Sequence, residues 1–208
     1  MHLSSPNFRT QAEADAQYNP SLPLVDPAAP LRHYTGRAEE TRRRLRCTLG
    51  VPFGPTPQET LDIYPADVPG APVFVFFHGG YCRALSSAEF GGVALGLQPL
   101  GITTVVPNYA LCPAVTIDEI TRQARAAVTW VLRHIGEHGG DAQRVAIGGH
   151  SAGAHLAAMC LQTDWIAQGF TNDPLAAGLL VSGLYELEPL RHRYLQPVIP
   201  LDDGRIAG

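Results

Sequence analysis

Residues 144 to 156 read Arg-Val-Ala-Ile-Gly-Gly-His-Ser-Ala-Gly-Ala-His-Leu, and few backbones accept such a string. The apolar run ending at Gly148 has the length of a buried strand, and the alanine-rich run from Ala152 reads as a helix. The chain must therefore turn sharply within Gly149–Gly153, a G-x-S-x-G. A serine hydroxyl is a poor nucleophile unless it is held clear of its neighbours, and a tight strand-to-helix turn does this by lifting Oγ above the sheet edge. Crowding at such an elbow demands small residues, which Gly149 and Gly153 supply on either side of His150, Ser151 and Ala152. Ser151 is the candidate nucleophile. The Ala152 amide, at the start of the new helix, faces the place where negative charge would form on an attacked carbonyl. The plainer reading is a structural corner that needs small side chains, and the motif alone leaves both open.

The flanking chain favours one architecture. Pro72–Phe77 is apolar throughout, as in a parallel strand covered on both faces. A helix is expected at about 87–98, a strand at Thr103–Pro107, a long helix at about 117–137, a strand at Arg144–Gly148, a helix at Ala152–Gln162 and a strand at Gly178–Ser182. This β-α-β alternation predicts an α/β fold, a three-layer α/β/α sandwich around a mostly parallel, doubly wound sheet that places ligands at the carboxyl ends of its strands. Upstream, Leu45–Leu49 and Leu61–Tyr64 flank a turn rich in proline and read as an antiparallel pair at the sheet edge. Residues 1–35 lack periodicity and read as a surface arm ahead of a short helix at about 36–44. Residues 36–208 read as a single domain.

Charge and cysteine content narrow the function classes. The net charge is −4 and all fifteen basic residues are arginines, with Arg42-Arg43-Arg44 balanced by Glu39 and Glu40, so a nucleic-acid surface is not expected. Cys47, Cys82, Cys112 and Cys160 show no C-x-x-C pairing, no apolar stretch is long enough to span a membrane, and the N-terminus lacks a signal-peptide core. A reducing, cytoplasmic compartment is the expectation.

A second motif, His78-Gly79-Gly80-Tyr81, follows the most apolar strand. A parallel sheet would set it beside Ser151, and its paired glycines let backbone amides approach a substrate. His78 is expected to pin this loop by hydrogen bonds rather than act as a base. With Asn108–Pro113, Gly149–Leu156 and Ser182–Leu190, these segments make the chain resemble the α/β-hydrolase superfamily, in its esterase/lipase branch that includes kynurenine formamidases (arylformamidases), over most of residues 45–200. That resemblance implies an oxyanion hole from the amides of Gly80, Tyr81 and Ala152, with Gly79 shaping it. It also implies an acyl-enzyme on Ser151 and a small-molecule acyl substrate, either an aryl formamide resembling N-formylkynurenine or a short carboxylic ester. No cofactor and no metal are expected. Cys82 stands where the family usually has tryptophan.

The resemblance further implies that the acid and histidine of the triad follow two more strands, so the chain is expected to be incomplete after its sixth strand. Three explanations stay open: a truncated chain, a chain encoded short and inactive (a hydrolase-fold fragment or ligand-binding module), or an improvised triad of Ser151 with His192 and Glu186 or Glu188. His155, one helical turn beyond Ser151, is expected to point into packing. His134-Ile135-Gly136-Glu137-His138 matches the zinc-peptidase string H-x-x-E-H, but it lies at a helix end without a third ligand and is expected to be accidental. Of partners, neither nucleic acid nor membrane is expected, and a homodimer is left open.

Overall fold

Among the described residues, six strands form one sheet in the order β1-β2-β4-β3-β5-β6, with β1 Thr48–Pro52, β2 Thr60–Tyr64, β3 Ala71–Phe77, β4 Thr103–Pro107, β5 Gly140–His150 and β6 Leu175–Val181. The computed structural model describes residues 11–19 and 23–185. β4, β3, β5 and β6 are mutually parallel, while β1 and β2 pair antiparallel at one edge, as the turn-rich 51–57 segment predicts. The first strand begins three residues later than expected and runs through Pro52. Proline survives there because β1 is an edge strand and its missing N–H breaks no ladder.

Chain order reverses around β3, since β4 lies on one side of it and β5 on the other. The crevice at such a reversal opens at the carboxyl ends of the strands. Register sets Phe77 level with Gly149, so the residues that follow β3 and β5 emerge side by side.

One face of β3, formed by Val73, Val75 and Phe77, is fully buried under α4 (Ile117–His134) and α5 (Ala152–Leu161). Each such side chain contributes roughly 2 kcal/mol by leaving water. The amphipathic α4 turns Ile120, Ala124, Ala127, Val128 and Val131 inward, is capped where Thr116 Oγ accepts from the Glu119 amide, and carries Asp118 and Glu119 in its first turn. Its α-helix stops at His134 and tightens into a 3₁₀ turn, Ile135–His138. α5 is mostly small, with Ala154, Ala157 and Ala158 buried, and therefore sits close to the sheet.

The other face departs from the sequence expectation. Phe74 and Phe76 are only half-buried, because no continuous helix forms over 87–98. The segment breaks into 3₁₀ turns at Ser87–Glu89, Gly91–Val93 and Gln98–Leu100 around a single turn, α3 (Ala94–Leu97). Packing explains the break: a Cβ on Gly91 would lie 2.3 Å from the Tyr64 hydroxyl, and one on Gly92 would lie 2.9 Å from Arg37 Cβ. The partner across this face is α2 (Ala29–Arg44), longer than the helix expected at 36–44 because Pro30 is accommodated in its first turn. A further helix, α1 (Gln11–Tyr18), forms within the segment read as an arm.

β6 closes the sheet as its second edge. Leu179 and Val181 are 59% and 43% exposed, an apolar strand without a neighbour on its outer side among the described residues. No described helix is long and apolar enough to cross a membrane.

Candidate active site

Ser151 stands between β5 and α5 with φ 56° and ψ −121°, a conformation that costs a residue with a Cβ about 1–3 kcal/mol. Tertiary contacts hold the turn in place. The Ser151 amide donates to the Val181 carbonyl at 2.9 Å, and its own carbonyl accepts from Ala154 and His155 at 3.0 and 3.2 Å. A Cβ on Gly153 would lie 2.0 Å from the Phe77 carbonyl oxygen, and one on Gly149 would lie 2.3 Å from the Gly153 carbonyl carbon. Both glycines are demanded by backbone packed on backbone, as the crowding argument predicts.

The glycine loop after β3 lies against this elbow. A Cβ on Gly79 would be 3.4 Å from Ser151 Cβ and 3.2 Å from His150 Nδ1. Gly80 (φ 119°) leads into Tyr81 and Cys82, both at positive φ, and its carbonyl accepts from the amides of Arg83 and Ala84 at 3.1 Å. Gly79 therefore packs beside the elbow, with little more than the space of a methyl group between its backbone and Ser151. The Ala152 amide opens α5, where first-turn N–H groups have no acceptor within their own helix.

His78 sits under the loop, buried and parallel to Tyr109, with centroids 4.1 Å apart and ring planes 4° apart. Its Nδ1 lies 2.7 Å from the Gly79 carbonyl, which fixes the tautomer with the proton on Nδ1, and the Tyr109 hydroxyl donates to the His78 carbonyl at 2.6 Å. Nε2 is buried without a partner among the described residues. Burial depresses the His78 pKa to about 4, against the opposing pull of the Gly79 carbonyl, so the ring is neutral at pH 7. It pins the loop, as expected.

Asn108–Pro113 braces the same loop: the Cys112 amide donates to the Cys82 carbonyl at 2.8 Å, and the Asn108 side chain bridges to the Gln58 carbonyl. Cys82 is buried in the main core and its thiol is pushed up to about 12 by burial, a packing residue where the family places tryptophan. Two contacts escaped the sequence reading. The Tyr109 stack had a signal, since that residue follows β4, next to β3. The hydrogen bond from the Tyr81 hydroxyl to the Tyr18 carbonyl at 2.7 Å joins residues 63 apart and had none.

His155 is half-buried, and its Nδ1 lies 2.8 Å from the Leu184 carbonyl in the segment that follows β6, so the ring is not turned wholly into packing as expected but is held by the chain beyond a strand end. Burial lowers its pKa, the Leu184 carbonyl opposing. Glu186, Glu188 and His192 lie outside the described residues. His134, Glu137 and His138 are set at the end of α4 with both imidazoles tilted against Trp130, and His134 Nδ1 is 3.3 Å from Glu137. Among the described residues, no three histidine, cysteine or acidic side chains are grouped to hold a metal ion.

Comparison with known proteins places the fold in a family. A family profile described as the alpha/beta hydrolase fold matches residues 74–200. The chain is 32% identical to a kynurenine formamidase of Danio rerio over 199 residues, which are 92% of this chain and 66% of that protein. Against the kynurenine formamidase of Salmo salar it is 33% identical over 176 residues, 82% of this chain and 58% of that one. It thus spans under two thirds of the length of these relatives. A crystal structure from Silicibacter sp., assigned as a thioesterase, superposes with a TM-score of 0.83 at 27% identity, covering 93% of this chain and 72% of its own.

Proposed function

The chain belongs to the alpha/beta hydrolase fold family, and from that premise we propose that it carries the nucleophile and oxyanion hole of a serine hydrolase cleaving an aryl formamide or a short carboxylic ester. The observation that carries the reading is the approach of the Gly79 backbone to Ser151, with the serine at positive φ. Nucleophile and clustered amides then share one corner. Ser151 Oγ attacks the substrate carbonyl, whose oxygen takes the electron pair as an oxyanion. The amides of Gly80, Tyr81 and Ala152 stabilise that charge, each contributing about 3 kcal/mol in sites of this kind. Collapse expels the amine or alcohol and leaves Ser151 acylated, and water then releases formate or the carboxylate. Kynurenine formamidases among the relatives support the formamide form, and the thioesterase assignment of the structural neighbour supports acyl transfer more broadly.

This chemistry requires a histidine to accept the Ser151 proton and a carboxylate to orient it. His78 is stacked and buried, and His155 is engaged with Leu184, so neither is assigned that role. His192 with Glu186 or Glu188 is the candidate set within the chain. The second reading, a fold that binds an acyl compound without turning it over, follows if none of these serves. The four cysteines are free thiols, which suits a cytoplasmic setting.

Treatment with a fluorophosphonate, digestion and mass mapping, beside assays of a formanilide and a nitrophenyl acetate, test the proposal. An adduct on Ser151 is expected. An adduct on another residue removes the serine assignment, and binding of the formanilide with no adduct selects the binding module.

A further inference from the structure

The outer side of α4 carries a feature that catalysis at Ser151 does not use. Arg122, Arg125, Trp130 and Arg133 recur at helical spacing along one stripe and, with Phe53 after β1 and Gln168 after α5, line a groove of about 550 Å³. That volume is in the range of small-molecule sites. No aspartate or glutamate lines it. Arg122 is neutralised, donating to both Glu59 and Glu119 at 2.7 Å, and His134 faces Glu137 at 3.3 Å. Arg125 and Arg133 are different. Arg125 uses only Nε, toward Thr163 Oγ at 3.0 Å, and Arg133 lies 5.8 Å over the Phe170 ring, neither with a carboxylate partner among the described residues.

Eight residues of helix set Arg125 and Arg133 about 12 Å apart at their Cα atoms, with the half-buried Trp130 between them along α4. Planar guanidinium forks match phosphate oxygens in pairs, and an indole face accepts a flat ring. We propose that this groove is a second ligand site, remote from Ser151, which binds a mononucleotide: base against Trp130, phosphates on Arg125 and Arg133. A concave site with one aromatic wall between two cations suits a compact ligand better than an extended acidic peptide, whose charges would need a longer basic track.

The chain has a built-in reporter. Of its two tryptophans, Trp165 is 2% exposed and donates its indole N–H to the Cys160 carbonyl, so a ligand in the groove quenches Trp130 alone. Titration of the 208-residue protein with ADP should give saturable quenching that weakens as salt is added. Arg125→Ala with Arg133→Ala should weaken ADP binding at least about tenfold, the loss expected for a charged hydrogen bond. Trp130→Phe should abolish the quenching, and circular dichroism should show both variants folded. Adenosine, lacking charge, and inorganic phosphate, lacking a ring, should each bind far more weakly than ADP. Absence of quenching, equal affinity for phosphate and ADP, or unchanged affinity in the double arginine variant would overturn the proposal. So would displacement of ADP by an oligoglutamate peptide at lower concentration than by AMP, which would make the groove a protein-docking surface.

Discussion

Tyr109 lies flat on His78 and donates its hydroxyl to that residue's own carbonyl, so one side chain holds both the ring and the backbone of the loop that faces Ser151. The stack also excludes water from the imidazole, and this sets the protein's response to acid.

In the folded chain His78 has a pKa of about 4, against 6.5 when exposed, so the unfolded state binds the extra proton between those values. Stability therefore rises with pH across that window and is fully present above about pH 6.5. It falls on acidification by roughly 3 kcal/mol once pH drops below 4, since each tenfold difference in proton affinity between the two states is worth about 1.4 kcal/mol. His155, also lowered, acts with the same sign. Thermal denaturation between pH 7 and 4 should show a falling midpoint, and His78→Gln should flatten that slope whatever it does to the midpoint at pH 7. An unchanged slope would show that the ring is not held neutral.

Gly153→Ala would drive a Cβ to 2.0 Å from one backbone oxygen and 2.5 Å from another, neither of which can swing aside. Overpacking of this kind costs about 1–3 kcal/mol or more, and each kcal/mol lowers the midpoint by about 2–4 °C in a chain of this size. Calorimetry should show a loss of several degrees, and fluorophosphonate labelling of Ser151 should slow as the turn is displaced. Gly136→Ala, with open space around its Cβ position, is the matched control and should be neutral or stabilising.

Prolonged chelation should change neither the melting midpoint nor the labelling of Ser151. His134 and His138 both pack on Trp130, and no group of three metal-ligating side chains includes them among the described residues. Stoichiometric zinc in the purified protein, with labelling lost on its removal, would overturn the serine reading.

The open edge of the sheet should make this chain self-associate. β6 presents Leu179 and Val181 at an edge whose outer N–H and C=O groups have no strand beside them among the described residues, and such edges recruit other chains. Leu179→Lys should lower the mass measured by light scattering. His192→Gln should lower formanilide turnover on the order of 10⁴ to 10⁶, because without its base the serine keeps only the residual acceleration of the hole. Unchanged hydrolysis of formanilide in that variant would remove His192 from the candidate set, and a stable monomer would show that the β6 edge is covered.

Both halves of the site were legible in the sequence because each depends on local chemistry. Gly149 and Gly153 are required by the elbow itself, and the continuous apolarity of Pro72–Phe77 with a following His-Gly-Gly identifies a strand end. The segment over 87–98 misled because its composition suits a helix, while what breaks it is tertiary: Tyr64 and Arg37 press where Gly91 and Gly92 lie. Periodicity also could not show that Phe74 and Phe76 face a thinner layer than Val73 and Val75, since all four are equally apolar. The contact between Tyr81 and Tyr18 left no trace in the sequence, since no local pattern links the two residues.

The hydrogen bond from Tyr81 to Tyr18 has a consequence for how the chain acquires its structure during synthesis. α1 has only eight residues, too few to persist as an isolated helix in water, and it leaves the ribosome more than sixty residues before its partner. It therefore orders only when the loop of residues 78–82 arrives to receive it, and the two segments form in one event. Amide exchange in α1 consequently reads out whether the loop of residues 78–82 is in place.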